Sequence, residues 1–378
     1  MSLPSFAEIL PSKTLPALNG FRMLAVLSVV LAHAGVGFIL TARHGVAGFF
    51  VLSGFLITWL LLREFEKNQT ISFKNFYMRR ALRIFPAYYA FVTVSVAWDL
   101  YRGNDNIREM ILPSLFYLVN YHNALQGHSS ASVAHLWSLA VEEQFYFLWP
   151  LVFLTLVGRS KVTVIRFLVG AILAVMIWRS VAFSVLEFGD SYAYNAFDTR
   201  FDNLAIGCLL ALLMEKPGFR AVMDRLSSKF WMPLLTLVLL TLSRLMPSPD
   251  YEYGPAFTID ALLLAMLLVQ LIRLSHGRFW GWLNHPVSVY LGIISYPIYL
   301  WHVWGLQAGH KLGFLPETGQ LLMGIGFSVL LATGSYYCIE KPFLRLKGRY
   351  QPRLTGKTRS GENPHETQAT VGSKDTLS

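Results

Sequence analysis

The chain has 378 residues, 54% of them hydrophobic and only 14% charged, with a mean hydropathy of +0.45. A soluble domain of this length carries far more charge, so that class is excluded; repeated apolar runs of about 17–25 residues indicate a polytopic helical membrane protein. The net charge of +10 would point to nucleic acid in a soluble chain, whereas here it reflects cations gathered on one membrane face, and no nucleic-acid partner is expected.

The expected fold is all-α. About ten transmembrane helices are read at residues 21–41, 46–63, 84–101, 137–157, 164–183, 203–215, 230–246, 257–273, 284–304 and 319–338. Residues 110–121 are too short to span and contain Pro113, so they read as a re-entrant or interfacial piece. With the N-terminus in the cytoplasm, 25 of the 32 Lys and Arg fall on cytoplasmic segments, which places both termini inside. A cleavable signal peptide competes for the first run, because Ala32-His33-Ala34 resembles a small-x-small site. The long segment before it and the second apolar run directly after it argue against cleavage. Residues 1–348 read as the membrane domain and 349–378 as a polar, disordered cytoplasmic tail. Cys208 and Cys338 lie in apolar runs and read as free thiols.

The first helix, "NGFRMLAVLSVVLAHAG", carries Arg22 and His33 eleven residues apart. On a helix that separation is about three turns, so both share one face about 16 Å apart. An intramembrane histidine marks function by default, and imidazole can accept a proton from a hydroxyl nucleophile near neutral pH. The competing reading is a histidine hydrogen-bonded to a neighbouring helix. "GVAGFFVLSGFLI" puts Gly48, Ser53 and Gly54 on the second helix, where small residues permit close packing or a slot for a narrow chain. "FYMRRALRIFPAYY" adds Arg79, Arg80 and Arg83 before the third helix, with Pro86 marking a helix start near this point. Each arginine alone reads as topogenic charge or a lipid contact; converging, they make a phosphate site.

"LWSLAVEEQFYFLWP" sets Ser138 and Glu142 on one face about 6 Å apart, with Glu143 pointing elsewhere. Glu142 reads as a group orienting an imidazole or an acceptor hydroxyl, or as half of a buried ion pair. "DTRFDNLAIG" brings Arg200 and Asp202 to the outer end of the sixth helix, and "SYPIYLWHVW" offers Tyr296, Tyr299 and His302 on the ninth. The last group reads equally as an interfacial aromatic belt. No metal site and no tightly bound cofactor is expected.

Arg22-x10-His33, "GFFVLSGFLI", Arg80-Ala-Leu-Arg83-Ile84-x-Pro86, "SLAVEEQFY", "RFDNLAIG", "SYPIYLWH" and Glu340-Lys341-Pro342 occur in this order from about Leu15 to Leu344. Together they resemble the acyltransferase-3 family, membrane acyltransferases related to bacterial O-antigen and peptidoglycan O-acetylases. The resemblance implies a multi-pass protein of the bacterial inner membrane. It implies transfer of an acyl group, usually acetyl from acetyl-CoA, to a hydroxyl of a glycan or glycolipid. Arg22, Arg80 and Arg83 would hold the phosphates of coenzyme A, and the pantetheine arm would climb the first helix. His33 would then act as general base, with Glu142 polarising it or the acceptor. Ser138, Arg200, Asp202, Tyr296 and His302 would support the acceptor side. Some members carry an extracytoplasmic hydrolase-like domain, which this chain is expected to do without. Acetyl, succinyl and longer acyl groups remain open, as do the acceptor and the choice between direct transfer and an acyl-enzyme. The rival class is a proton-coupled transporter or flippase with His33 and Glu142 as proton carriers. A catalytically idle sensor is a third reading.

Overall fold

A computed structural model describes residues 3–10, 15–36, 41–246 and 248–350. From residue 351 onward, the expected tail lies outside these residues. Every regular element among them is helical. The framework helices are α1 (Pro16–His33), α2 (Ala42–Asn68), α3 (Phe73–Tyr101), α4 (Asn106–Leu115), α5 (Val119–Gln126), α6 (Trp137–Val157) and α7 (Lys161–Ser184), followed by α8 (Phe201–Leu213), α9 (Met232–Arg244), α10 (Ala256–Leu274), α11 (Pro286–Ile293), α12 (Ser295–His310) and α13 (Glu317–Ser335). Seven helical stretches are long and apolar enough to cross a membrane, and α8 and α9 are shorter apolar helices of 13 residues each. The multi-pass class therefore stands on seven long spans.

Several boundaries differ from the sequence reading, each for a local reason. Pro16 occupies the first turn of α1, where its missing N–H costs nothing, and the helix ends at His33 rather than near residue 41. Gly35, at φ +76°, supplies the left-handed residue that stops it. Ser72 caps α3 by accepting from the Asn75 N–H at 3.4 Å, so the helix begins well before Pro86 and carries the proline inside it. Arg79, Arg80 and Arg83 consequently stand on the first turns of α3 rather than in a loop. The stretch 110–121 is divided between α4 and α5, with Tyr117 at φ 54° between them. The run expected as one span at 284–304 is two helices, α11 and α12, broken at Ile294.

Within the bundle α2 and α10 are central, with 72% of their apolar windows buried, against 22% for α7. The backbones of α2 and α8 touch at two glycines. A Cβ on Gly54 would overlap the Leu204 carbonyl oxygen, and one on Gly207 would overlap that of Val51. Gly54 is thus a packing residue. Glycine is the residue that lets two helices approach this closely inside a membrane. Beyond α13 the helix passes through a π-turn at Tyr336–Glu340, which buries Glu340.

Candidate active site

Helices α1, α2, α3, α6 and α12 enclose a cavity of ≈ 610 Å³. Its walls include Arg22, Ser53, Arg79, Arg80, Arg83, Ser138, Glu142, Tyr146, Tyr296 and Tyr299. Nine of the residues singled out in the sequence (Arg22, Ser53, Arg79, Arg80, Arg83, Ser138, Glu142, Tyr296 and Tyr299) therefore meet around one space. Its volume lies in the range of small-molecule sites.

Helix α3 serves as a ruler along it. Arg80 meets Glu143, the Ile84 carbonyl accepts from the Tyr296 hydroxyl at 3.0 Å, and the Phe91 ring stands edge-on to His135 at 5.5 Å. Eleven residues separate Arg80 from Phe91, about 16 Å along the axis. The arginines thus define one end and the histidines the other, as Arg22 and His33 do on α1.

At the arginine end the guanidinium groups are not equivalent. Arg80 donates from Nε and Nη2 to Glu143 Oε1 at 3.1 and 2.9 Å and stacks on the Tyr146 ring at 2.9 Å. Arg79 is held by Glu64 at 3.1 Å and by the Tyr350 carbonyl at 2.8 Å. Among the described residues Arg22 reaches only Asn19 Oδ1, at 3.3 Å. Arg83 has no hydrogen-bond or ion-pair partner among the described residues and is exposed. Arg22 and Arg83 are the cavity arginines that make no ion pair among the described residues, which leaves their charge available to an anion. Glu142 faces the same cavity with its Oε1 buried and unpartnered.

At the other end Ser138 Oγ and Tyr299 Oη are 2.6 Å apart, both buried and both on the cavity wall. The phenol donates to the His135 carbonyl at 2.7 Å, so the Ser138 hydroxyl is the donor within the pair. Behind Tyr299 stand three histidines. His302 lies 4.9 Å from His33 and 5.2 Å from His135, ring centre to ring centre, in edge-to-face contact. Each places one ring nitrogen against a carbonyl oxygen: His33 Nδ1 on Val29 at 2.9 Å, His135 Nε2 on Leu300 at 3.2 Å, His302 Nδ1 on Tyr299 at 2.7 Å. Those nitrogens carry the protons in the neutral rings, leaving the second nitrogen of each as a lone pair. His33 is exposed, whereas His302 is fully buried with Nε2 unpartnered.

Two expectations change here. His33 is the last residue of α1, exposed rather than deep in the helix, and the arginine cavity ends at Ser138 and Tyr299 without reaching it. Early termination at Gly35 is the cause. Arg200 and Asp202, expected at an acceptor mouth, are both fully buried. Asp202 is occupied by Arg179 at 3.0 Å and by the Thr258 hydroxyl at 2.5 Å. Sequence reasoning passed over His135, which precedes α6 in a 3-10 turn, and gave Glu143 no role beyond pointing away from Ser138 and Glu142. The adjacent EE pair was a usable signal, since two carboxylates on neighbouring helix positions point to different neighbours.

A helical membrane bundle with such a cavity and a histidine cluster behind it defines an integral membrane protein with an enclosed polar site. The family model described as "Acyltransferase domain" matches residues 15–339, and the chain belongs to that family. A peptidoglycan O-acetyltransferase, OatA, of Listeria monocytogenes is 32% identical over 351 residues, 87% of this chain and 56% of the relative. A Bacillus subtilis protein provisionally named a peptidoglycan O-acetyltransferase, YrhL, is 32% identical over 358 residues, 88% of this chain and 55% of its own length. A Staphylococcus aureus protein provisionally named an O-acetyltransferase is 29% identical over 366 residues, 89% of this chain and 58% of its own. The chain spans a little over half the length of these curated relatives. No solved structure matches it.

Proposed function

We propose that this chain is an integral membrane O-acyltransferase of the bacterial inner membrane that moves an acetyl group from cytoplasmic acetyl-CoA to a glycan hydroxyl on the far side. The observation that carries the reading is the cavity itself, which joins the free donors of Arg22 and Arg83 to the Ser138–Tyr299 pair beneath the histidines. The phosphates of the donor would sit on Arg22 and Arg83, with Arg80 held in place by Glu143 as a third cation. The thioester would lie near Ser138 and Tyr299. The acceptor would approach His33 from its exposed side. Its hydroxyl attacks the thioester carbonyl carbon while His33 Nε2 takes the proton. Collapse of the tetrahedral intermediate breaks the C–S bond, and the imidazolium returns its proton to the departing thiolate. The distribution of 25 of the 32 Lys and Arg supports a cytoplasmic arginine end. The names of the relatives favour a peptidoglycan-type glycan as acceptor.

A proton-coupled transporter accounts for buried ionisable groups but not for a cluster of arginines with free donors around a cavity. Purified protein in proteoliposomes, supplied with acetyl-CoA and peptidoglycan fragments, separates the two. Acyl transfer gives stoichiometric free thiol and an acetylated glycan; glycan movement without thiol release would favour the transporter.

A further inference from the structure

Apart from the cavity, α2, α7, α8 and α10 enclose a second charged cluster. Arg43 is paired with Asp260 at 3.0 Å and with Glu252 at 3.5 Å, and Arg179 with Asp202 at 3.0 Å. Arg200 differs from both. It is 0% exposed, and its Nε, Nη1 and Nη2 all lack a hydrogen-bond partner among the described residues. Its guanidinium lies 4.0 Å from the centre of the Phe257 ring, with the Tyr194, Trp137 and Phe50 rings further off at 5.2, 5.6 and 5.9 Å. Ring faces attract a cation, but they do not saturate the in-plane N–H donors, and an uncompensated buried charge is strongly unfavourable. One turn further along α8, Asn203 is also fully buried with both amide atoms unpartnered. Both residues flank the N-terminus of α8, where the helix dipole favours negative charge. The two nearest carboxylates in sequence are already engaged, Asp202 by Arg179 and Thr258 and Asp198 by Tyr121, Trp178 and Tyr192.

We propose that Arg200 and the Asn203 amide form a buried binding site for a small monovalent anion, halide or carboxylate, separate from the arginine cavity. The enclosure by aromatic rings limits the ligand to a few atoms and excludes phosphate esters. The anion neutralises Arg200 and fixes Phe50 and Trp137. Phe50 lines the cavity, so the anion also stiffens its wall. This inference does not depend on the acyltransferase reading.

The test uses the purified full chain in detergent at constant ionic strength and pH. Thermal unfolding is followed in sodium chloride, sodium acetate and sodium gluconate, the last too large to enter. Chloride is expected to raise the midpoint by several degrees over gluconate, and acetate reports whether a carboxylate is accepted as well. Arg200→Met should abolish the difference between salts. Equilibrium binding of radioactive chloride to the wild-type protein serves if that variant fails to fold, with one chloride per chain expected. Identical midpoints in all three salts together with no bound chloride would overturn the site. An Arg200→Met variant that retains the full salt difference would overturn the assignment to Arg200.

Discussion

His33 makes one structural hydrogen bond, to its own helix, and is exposed, so its loss should be borne easily by the fold. His33→Ala is expected to lower the transfer rate by about 10²–10⁴-fold, the usual contribution of a general base, while the melting temperature and donor affinity stay near wild type. Turnover within a few-fold of the parent would remove it from the chemistry. The arginines should separate in a way their sequence spacing does not suggest. Arg22→Ala and Arg83→Ala each remove free donors, and a charge-assisted bond of about 1.5–3 kcal/mol corresponds to roughly a tenfold to hundredfold rise in donor KM. Arg80→Ala also strands the Glu143 carboxylate, so it should lower the melting temperature as well as weaken the donor. Initial-rate kinetics and thermal unfolding on the three variants check this. A KM effect confined to Arg80→Ala would assign phosphate binding to the wrong residues. Helical phase alone put Ser138 and Glu142 on one face, and the family resemblance implied that Arg22, Arg80 and Arg83 act together; all five line the cavity. The coupling of Arg80 to Glu143 was not legible, because which of two adjacent glutamates faces a given helix is set by tertiary packing.

Among elements, the helix contacts are fixed by where a Cβ cannot go. Gly54→Ala should destabilise by about 1–3 kcal/mol or prevent folding, since the added methyl meets the rigid backbone of α8. Gly48→Ala should be nearly neutral, because the nearest atoms to its Cβ belong to the Phe21 ring at 3.4 Å, an ordinary contact. Unfolding midpoints in detergent test the contrast; equal effects at both sites would mean that the α2–α8 approach is looser than described. Hydropathy located the long apolar runs but carries no record of where a helix breaks. In the run 284–304 the break at Ile294 did leave a mark, since Gly292 precedes it and Pro297 falls in the first turn of α12, but an apolar run read by hydropathy alone passes over both. The end of α1 was readable, since Gly35 follows directly on Ala34 after an uninterrupted apolar helix. Extending that run through the glycine to residue 41 displaced His33 from the helix end towards its interior.

Across the whole molecule, the arginine cavity and the histidine cluster occupy opposite ends of α1 and α3, separated by the buried Ser138–Tyr299 pair. A site closed between two ends suits a reaction whose substrates never share a compartment, and the charge distribution assigns the arginine end to the cytoplasm under the proposed function. Glu142 faces the donor cavity rather than the histidines, so Glu142→Gln should act on the donor-loaded state. The most direct test of the account is transfer by protein reconstituted in one orientation, with acetyl-CoA on one side of the vesicle and a soluble glycan acceptor on the other. The account predicts free CoA only in the compartment that received the donor and acetylated glycan only in the opposite one, with the donor accepted from the side that carries the arginines. Transfer that requires both substrates on the arginine side would contradict it.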